Sequence, residues 1–332
     1  MDIEKLRQSW KRGSEFLGVR YAILGGAMSW LSEHHLVSAI SEAGGFGVLA
    51  SGNMPPELLR QEIRRTREKT DKPFGVNLIT LNPELPELIQ VVVDEGVKFC
   101  VLAGGLPKAD AIGALKDAGI KVILFAPSLP LAKRLARSAD ALVIEGHEAG
   151  GHVGPVCTGI LAQEILPALD KVPIFVAGGI SNGNMVAQMV GLGAAGCQLG
   201  TRFVCAEECI AHENFKKSFL RANARDAVVT AQFDQALPVI PVRALANKGT
   251  QEFNALQLAL IKKVKAEEIP RDDAILELEK FWVGALKRAA IDGDVAHGSV
   301  MAGQSVGMVK SIQPVAEIIQ ELVGPIEAVL EA

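Results

Sequence analysis

Eight short apolar runs, separated by amphipathic segments, recur between residues 21 and 206 of this 332-residue chain. Each run is continuously apolar, which is typical of parallel strands that are covered on both faces. We therefore predict eight parallel strands. They span residues 21–24, 47–50, 74–78, 99–102, 122–125, 141–144, 174–177 and 196–199.

The segments between these strands have the pattern of helices, and several carry proline or an acidic residue in the first turn. The predicted helices span residues 33–43, 56–69, 83–94, 109–118, 131–138, 160–169 and 184–192. This alternation predicts the α/β class and a (β/α)8 TIM barrel, with an open doubly wound sheet as the alternative. Glycines follow many of the strands, whereas an open sheet concentrates its ligand contacts at one crevice, so we favour the barrel.

Beyond the eighth strand the alternation stops. We predict a barrel over residues 1–205, a helical insertion or lid over 206–290, and a return loop with a C-terminal helix packing on the barrel over 291–332. Residues 191–196 match the dinucleotide motif G-x-G-x-x-G, but they close a helix and lead into a strand. Pyrophosphate binding needs the reverse order, so we interpret the motif as a helix C-cap followed by a turn.

The composition excludes several classes of function. A net charge of −4 and a pI near 5.9 provide no basic surface for a nucleic-acid partner. No apolar run approaches the roughly 18 residues that cross a bilayer, and the polar start is unlike a secretory signal. We expect a cytoplasmic protein with no membrane association that acts on a small-molecule substrate.

We expect no metal site. Cys205 and Cys209 have no second close pair of cysteines or histidines beside them. His147 lies among glycines, which are ill suited to the regular helix that usually presents metal ligands. His34 and His35 are interpreted as surface or capping residues.

The segment EGHEAGGHVG, residues 145–154, places His152 just beyond paired glycines at the end of the sixth strand. Glycines allow a backbone to approach a ligand closely, and a histidine can exchange a proton near neutral pH. We therefore predict that His152 is catalytic. Asn77 ends the third strand, where its amide can pair with a ring that has both donor and acceptor atoms.

Gly178-Gly179 and Gly200-Thr201 follow the seventh and eighth strands. In TIM barrels these two loops commonly bind phosphate through backbone N–H groups. The sequence therefore predicts a phosphate site here, with the Thr201 hydroxyl as a further donor.

Seven segments resemble, in this order, the nitronate monooxygenase (2-nitropropane dioxygenase) family and its close relative, the flavin-type enoyl-acyl-carrier-protein reductase II. They are GGAMSW, AGGFGVLA, TDKPFGVN, EGHEAGGHVG, VPIFVAGGIS, LGTRF and GDVAHGSVMAGQ. The resemblance covers nearly the whole chain, and several motifs in fixed order are more specific than any one alone. Ala27 departs from it, since many relatives read Gly-Gly-Met directly.

The resemblance implies a TIM barrel with a helical insertion that binds one non-covalent FMN, with the FMN phosphate on the amides named above. It also makes His152 the active-site histidine. The predicted cofactor-binding residues are Gly25, Gly26, Ala27, Met28, Asn77, Glu145, Gly151, Ala177, Gly178, Gly179, Gly200 and Thr201.

The implied reaction that we place first is the oxidation of alkyl nitronates (nitroalkanes) with O2, with His152 as general base. The alternative is reduction of an enoyl thioester in fatty acid synthesis, with NAD(P)H as co-substrate, and the segment GSVMAGQ favours it. An FMN-binding sensor is the non-enzyme alternative. A homodimer is compatible with each of these.

Overall fold

The computed structural model describes residues 2–282 and 284–331. Eight parallel strands close into a barrel, so the predicted (β/α)8 fold is confirmed. In barrel order they are β1 (Ile23–Gly25), β2 (Phe46–Ala50), β3 (Phe74–Ile79), β4 (Phe99–Ala103), β5 (Lys121–Phe125), β6 (Ala141–Glu145), β8 (Ile174–Ala177) and β9 (Gly196–Leu199). The short strand β7 (Gly151–His152) lies between β6 and β8 in the chain and belongs to another sheet.

The barrel is closed by β1, which pairs with strands from both ends of the series. Leu24 is opposite Phe46 of β2 on one side and opposite Gln198 of β9 on the other. The strands are buried along almost their whole length, because side chains fill the barrel on one face and helices cover the other. The strand bounds agree with the predicted ones to within two residues, and the largest difference is at β1, which begins at Ile23.

The predicted helices of the barrel are present. They are α2 (His34–Glu42), α3 (Pro56–Lys69), α4 (Leu85–Asp94), α5 (Ala109–Asp117), α6 (Leu129–Leu135), α7 (Thr158–Ile165) and α8 (Gly183–Leu192). α7 continues into a 3-10 turn over Leu166–Ala168. Gly193 ends α8 in the left-handed conformation, with φ at 117°, so the interpretation of residues 191–196 as a helix end is confirmed.

A helix that the alternation did not include, α1 (Ile3–Leu17), precedes the barrel. The side chain of Asp2 accepts a hydrogen bond from the N–H of Lys5 and so caps the start of α1. Leu6, Trp10 and Leu17 form its buried face. This face packs on α8 and β9 at the amino-terminal end of the barrel.

After α9 (Thr201–Val204) the chain forms the insertion. It contains α10 (Glu213–Arg221), β10 (Ala227–Val229), β11 (Val242–Leu245), α11 (Lys248–Lys265), α12 (Arg271–Trp282) and α13 (Ala285–Ala290). The helices agree with the predicted helical insertion, whereas the two strands were missed because such short segments carry little periodic signal. β10 pairs with β11, and β11 pairs with β7 of the barrel loop, all antiparallel.

The last helix, α14 (Val315–Glu331), lies where the sequence predicts an amphipathic helix over 314–330. Its apolar face packs on α8 and α2, and a Cβ at Gly183 of α8 would lie 2.5 Å from Pro325. The division of the chain at residues 205 and 290 stays a prediction. Across the described residues, no helix combines the length and the apolar character needed to cross a membrane.

Substitution of Gly13 tests the packing of α1. A Cβ at this position would lie 1.7 Å from the carbonyl oxygen of Ala195, a backbone atom that cannot move aside. We expect Gly13→Ala to lower the free energy of unfolding by about 1–3 kcal/mol, measured by urea denaturation. The matched control is Gly113→Ala in α5, where a Cβ meets nothing within 4 Å. The control should gain about 0.5–1 kcal/mol, and equal effects of the two substitutions would contradict this packing.

Candidate active site

The carboxyl-terminal ends of β1, β6, β8 and β9 lie side by side at one rim of the barrel. The N–H of Gly26, after β1, donates to the carbonyl of Leu199 at the end of β9 (2.8 Å). The N–H of Gly146, after β6, donates to the carbonyl of Ala177 at the end of β8 (3.0 Å). The structure thereby places on this rim the predicted residues Gly25, Gly26, Glu145, Ala177, Gly178, Gly179, Gly200 and Thr201.

Three more predicted residues lie on this rim. Met28 follows Ala27 in the loop after β1, and a Cβ at Gly200 would lie 3.5 Å from the Met28 sulfur. Asn77 is buried in β3, and its Nδ2 donates to the carbonyl of Val101 in β4 (3.0 Å). That bond orients the Asn77 amide. It uses one of the two N–H donors of Nδ2, whereas the sequence analysis expected the amide to pair with the ring of a ligand.

The turn after β8 has a backbone conformation that favours glycine. The φ angles of Gly178 and Gly179 are 93° and 72°, in the left-handed region. A Cβ at Gly178 would lie 2.9 Å from the carbonyl oxygen of Gly146. Within the described part of the chain, the N–H groups of Gly179 and Thr201 have no hydrogen-bond acceptor. Unpaired backbone donors on two adjacent turns are suited to binding a phosphate group.

The loop after β6 is closed by its own side chains. The Glu148 carboxylate accepts hydrogen bonds from both the N–H and the hydroxyl of Thr158, each at 2.9 Å. Nδ1 of His147 lies 2.7 Å from the carbonyl oxygen of Gly154. Both side chains therefore stabilise the fold of the loop.

The return loop after the insertion joins the turns that follow β6 and β9. The N–H of Gly303 donates to Oγ1 of Thr201, and the N–H of Gln304 donates to the carbonyl of Glu148, both at 2.9 Å. A Cβ at Gly150 would lie 2.6 Å from the nitrogen of Gly303, which explains why glycine is needed there. Thr201 accepts in this contact, so its hydroxyl hydrogen stays available for donation.

His152 lies in β7, opposite Val242 of β11, and follows Gly151, whose φ of 75° is left-handed. Its side chain keeps exposed surface, yet enough protein surrounds the ring that desolvation lowers the pKa of His152. The imidazole has no hydrogen-bond partner among the residues that the structure describes. At neutral pH it is therefore mainly neutral and can accept a proton.

Glu145 ends β6 on the same rim. It is only partly exposed, and burial raises the pKa of its carboxyl group to about 7. Among the described residues, no side chain or backbone group forms a hydrogen bond or ion pair with this carboxyl group. Near neutral pH it is therefore present in both protonation states, and its protonated form can donate a hydrogen bond.

Arg243 of β11 supports the loop, and the sequence analysis missed it. Its side chain is only 3% exposed, and its Nε and Nη2 donate to the carbonyl of His147 at 3.1 and 3.0 Å. Its Nη1 donates to the carbonyl of Ala227 in β10. A lone arginine in a short strand carries no local signal, because its role depends on the pairing of β11 with β7.

A cavity of about 700 Å³ opens at the other end of the barrel. Phe16, Phe74 and Lys121 line it, and Lys121 donates to the carbonyl of Phe16 (3.0 Å). No residue of the predicted site is in its walls. The chemistry of this fold occurs at the carboxyl ends of the strands, so we place the candidate site at the rim described above.

Several known proteins are similar to this chain over most of its length. The family model described as nitronate monooxygenase matches residues 11–88 and 87–324. The chain is 30% identical to (3aS,4S,5R,7aS)-5-hydroxy-7a-methyl-1-oxo-octahydro-1H-indene-4-carboxyl-CoA dehydrogenase of Rhodococcus jostii, which covers 93% of this chain and 94% of that protein. It is 29% identical to the nitronate monooxygenase of Paraburkholderia phytofirmans, over 92% of each chain.

Two solved structures are similar to this chain over nearly its whole length. FabK from Thermotoga maritima has a TM-score of 0.86 and 36% identity, covering 96% of this chain and 97% of its own. Nitroalkane oxidase from Streptomyces ansochromogenes has a TM-score of 0.78 and 24% identity, covering 95% of this chain and 98% of its own. The second likeness supports the fold alone.

Substitution of Arg243 tests how the loop after β6 is held. Lysine keeps the charge but lacks the planar set of donors that reaches two carbonyl groups. We expect Arg243→Lys to speed amide hydrogen exchange in residues 146–154 and to lower stability by about 1–3 kcal/mol. The control is Arg225→Lys, since the Arg225 side chain is 89% exposed. Unchanged exchange in the loop of Arg243→Lys would contradict the supporting role.

The pKa of Glu145 predicts a pH dependence of stability in protein stripped of any bound cofactor. The pKa rises from 4.5 to about 7 on folding, so the folded state binds more protons between these values. This contribution to stability is complete below pH 4.5 and is lost as the pH rises through 7. We expect the free energy of unfolding of the wild type to fall by at most about 3 kcal/mol, relative to that of Glu145→Gln, between pH 4.5 and pH 7. Parallel pH profiles of the two proteins in urea denaturation would refute the shift.

Proposed function

This chain belongs to the nitronate monooxygenase family, and on that premise we propose that it is an FMN-dependent oxidoreductase that oxidises alkyl nitronates with O2. Two features of the loops that follow the barrel strands support the proposal. Among the residues that the structure describes, the N–H groups of Gly179 and Thr201 have no acceptor, and the imidazole of His152 in the loop after β6 has no hydrogen-bond partner.

The residues of the rim fit FMN. In our proposal the N–H groups of Gly179 and Thr201 bind its phosphate, because they are unpaired and the turn after β8 leaves no room for a Cβ at Gly178. The loop over residues 25–28, together with Asn77 and Glu145, contacts its ring. FMN supplies an electron acceptor that can pass electrons to O2.

His152 acts as the base in this proposal. Its lowered pKa keeps the ring neutral near pH 7, so that it can accept the acidic proton next to a nitro group. The resulting imidazolium is positively charged and can hold the nitronate anion in place. The three supports of the loop, from Thr158, Arg243 and Gln304, keep His152 at a defined position.

Reduction of an enoyl thioester with NAD(P)H is the second candidate. It is favoured by the resemblance of the chain's motifs to the flavin-type enoyl-acyl-carrier-protein reductase II, and the chain is 36% identical to FabK. The return loop, which carries the segment GSVMAGQ, also contacts the site at Glu148 and Thr201. A proton completes the saturation in this reaction. A thioester is also part of the substrate named for the Rhodococcus jostii dehydrogenase.

Substitution of Gly179 tests the phosphate site. A Cβ at Gly179 would lie 3.1 Å from the Cβ of Glu148, so a bulky side chain would crowd the loop beside the turn to which we assign the phosphate, and Gly179→Leu should be purified without FMN. Gly119→Leu is the matched control, because Gly119 has a similar φ of 74° and a Cβ added there would meet no atom within 4 Å. The control should suffer the same backbone strain and keep its FMN. Stoichiometric FMN in Gly179→Leu would show that the phosphate binds elsewhere.

Anaerobic reduction of the bound flavin tests the reaction itself. We expect an alkyl nitronate to bleach the flavin absorbance, and O2 to restore it. His152→Ala should retain FMN and lower turnover by about 10² to 10⁴. His297→Ala is the control, since His297 pairs with Glu252 of α11 and its side chain is 48% exposed. Rapid bleaching by NAD(P)H with no response to nitronate would make the enoyl reductase the better assignment, and full activity of His152→Ala would remove His152 from the mechanism.

A further inference from the structure

Four side chains with metal-binding atoms converge where α2 begins beside α3. Glu33 caps the start of α2, and His34 and His35 are the first residues of this helix. Nδ1 of His34 lies 2.8 Å from Oε2 of Glu33 and 2.7 Å from Oε2 of Glu62 in α3. Nδ1 of His35 lies 3.0 Å from Oε2 of Glu33. The donor atoms of Glu33, His34 and His35 all lie within 4.8 Å of one another.

Among the described residues, only one of the two carboxylates in this cluster pairs with a lysine or an arginine. Glu33 and Glu62 are only 7% and 5% exposed. Arg65 forms an ion pair with Glu62 (3.0 Å), but no lysine or arginine in the described ranges pairs with Glu33. Nδ1 of His34 carries at most one hydrogen, yet it faces two carboxylate oxygens. Buried carboxylates need a compensating cation, and a metal ion would provide one.

The remaining atoms of the two carboxylates are held in place, as they are around metal sites. Oε1 of Glu33 accepts from the N–H groups of His35 and Leu36. Oε1 of Glu62 accepts from Arg65. The ring of His35 borders an open cavity of about 570 Å³, which offers a route from solvent to the cluster.

We propose that Glu33, His34, His35 and Glu62 bind one divalent transition-metal ion, for which Zn²⁺ is the best match. Two imidazole nitrogens and two carboxylate oxygens are a common ligand set for tetrahedral Zn²⁺. Ligand atoms around such an ion lie about 3.3 Å apart, so the His34–Glu33, His34–Glu62 and His35–Glu33 pairs, at 2.7–3.0 Å, need to separate by only several tenths of an ångström.

The site has a structural consequence that does not depend on the proposed reaction. The start of α2 directly follows the loop over residues 25–32, where Ser32 accepts from the N–H of Met28 and donates to the carbonyl of Gly26. A metal ion between Glu33 and Glu62 would link this loop to α3. The sequence analysis expected no metal site. No local pattern indicates this cluster, because Glu62 is 28 residues from His34 in the chain.

Zinc titration of the full chain tests the proposal. Protein without an affinity tag is dialysed against a chelator and titrated with Zn²⁺ by calorimetry, and Co²⁺ is then used as a visible probe. We expect one Zn²⁺ per chain and the intense absorbance of tetrahedral Co²⁺. His35→Gln should weaken Zn²⁺ binding at least about tenfold. The His35 side chain is 49% exposed, so this variant should fold. Glu33→Gln should weaken binding in the same way.

His297→Gln is the matched control. His297 and Glu252 form a similar pair at 3.0 Å, but no further donor joins them, so this variant should bind Zn²⁺ as wild type does. The proposal is overturned if wild type shows no saturable Zn²⁺ binding, or if His35→Gln and Glu33→Gln bind Zn²⁺ as tightly as wild type. Flavin content is measured alongside. Loss of FMN with Zn²⁺ binding intact bears only on the proposed oxidoreductase function.

Discussion

The pairing of β1 with β9 is the constraint on which the rest of this structure depends. It closes the barrel, so that no strand edge stays open and every strand presents its carboxyl end at the same rim. Residues that are far apart in the chain, such as Gly26 and Leu199, thereby become hydrogen-bonded neighbours. The glycine turns can approach one another because no Cβ stands between them, as at Gly178 and Gly146.

The loop that carries His152 is held from outside the barrel. A segment with this many glycines loses much conformational entropy when it is ordered, so it needs contacts that offset the cost. Thr158, Arg243 and the return loop provide them, mainly through hydrogen bonds to Glu148 and to the carbonyl of His147. Within the described ranges, these bonds leave the imidazole of His152 and the carboxyl group of Glu145 without partners, as our proposal for the site requires.

Much of the fold was predictable because its signals are local. A continuous apolar run, such as residues 174–177, indicates a strand that is covered on both faces, and the structure has β8 over the same residues. The helix bounds of α3 were predicted to the residue for a similar reason, since Pro56 marks its start. β10 and β11 were missed because a strand of three or four residues is too short to show a pattern. Such a strand is recognised only from the strands with which it pairs.

The sequence by itself determined the eight strands, the positions of the glycine turns and the candidate residues that follow them, since each depends on side chains that are close in the chain. Only the tertiary structure decided that Arg243 supports the loop of His152, that the return loop contacts Thr201, and that Glu62 meets Glu33 and His34. The physical reason is that these contacts join segments dozens of residues apart. Barrel closure and strand pairing bring such segments together, and no local sequence pattern predicts these contacts.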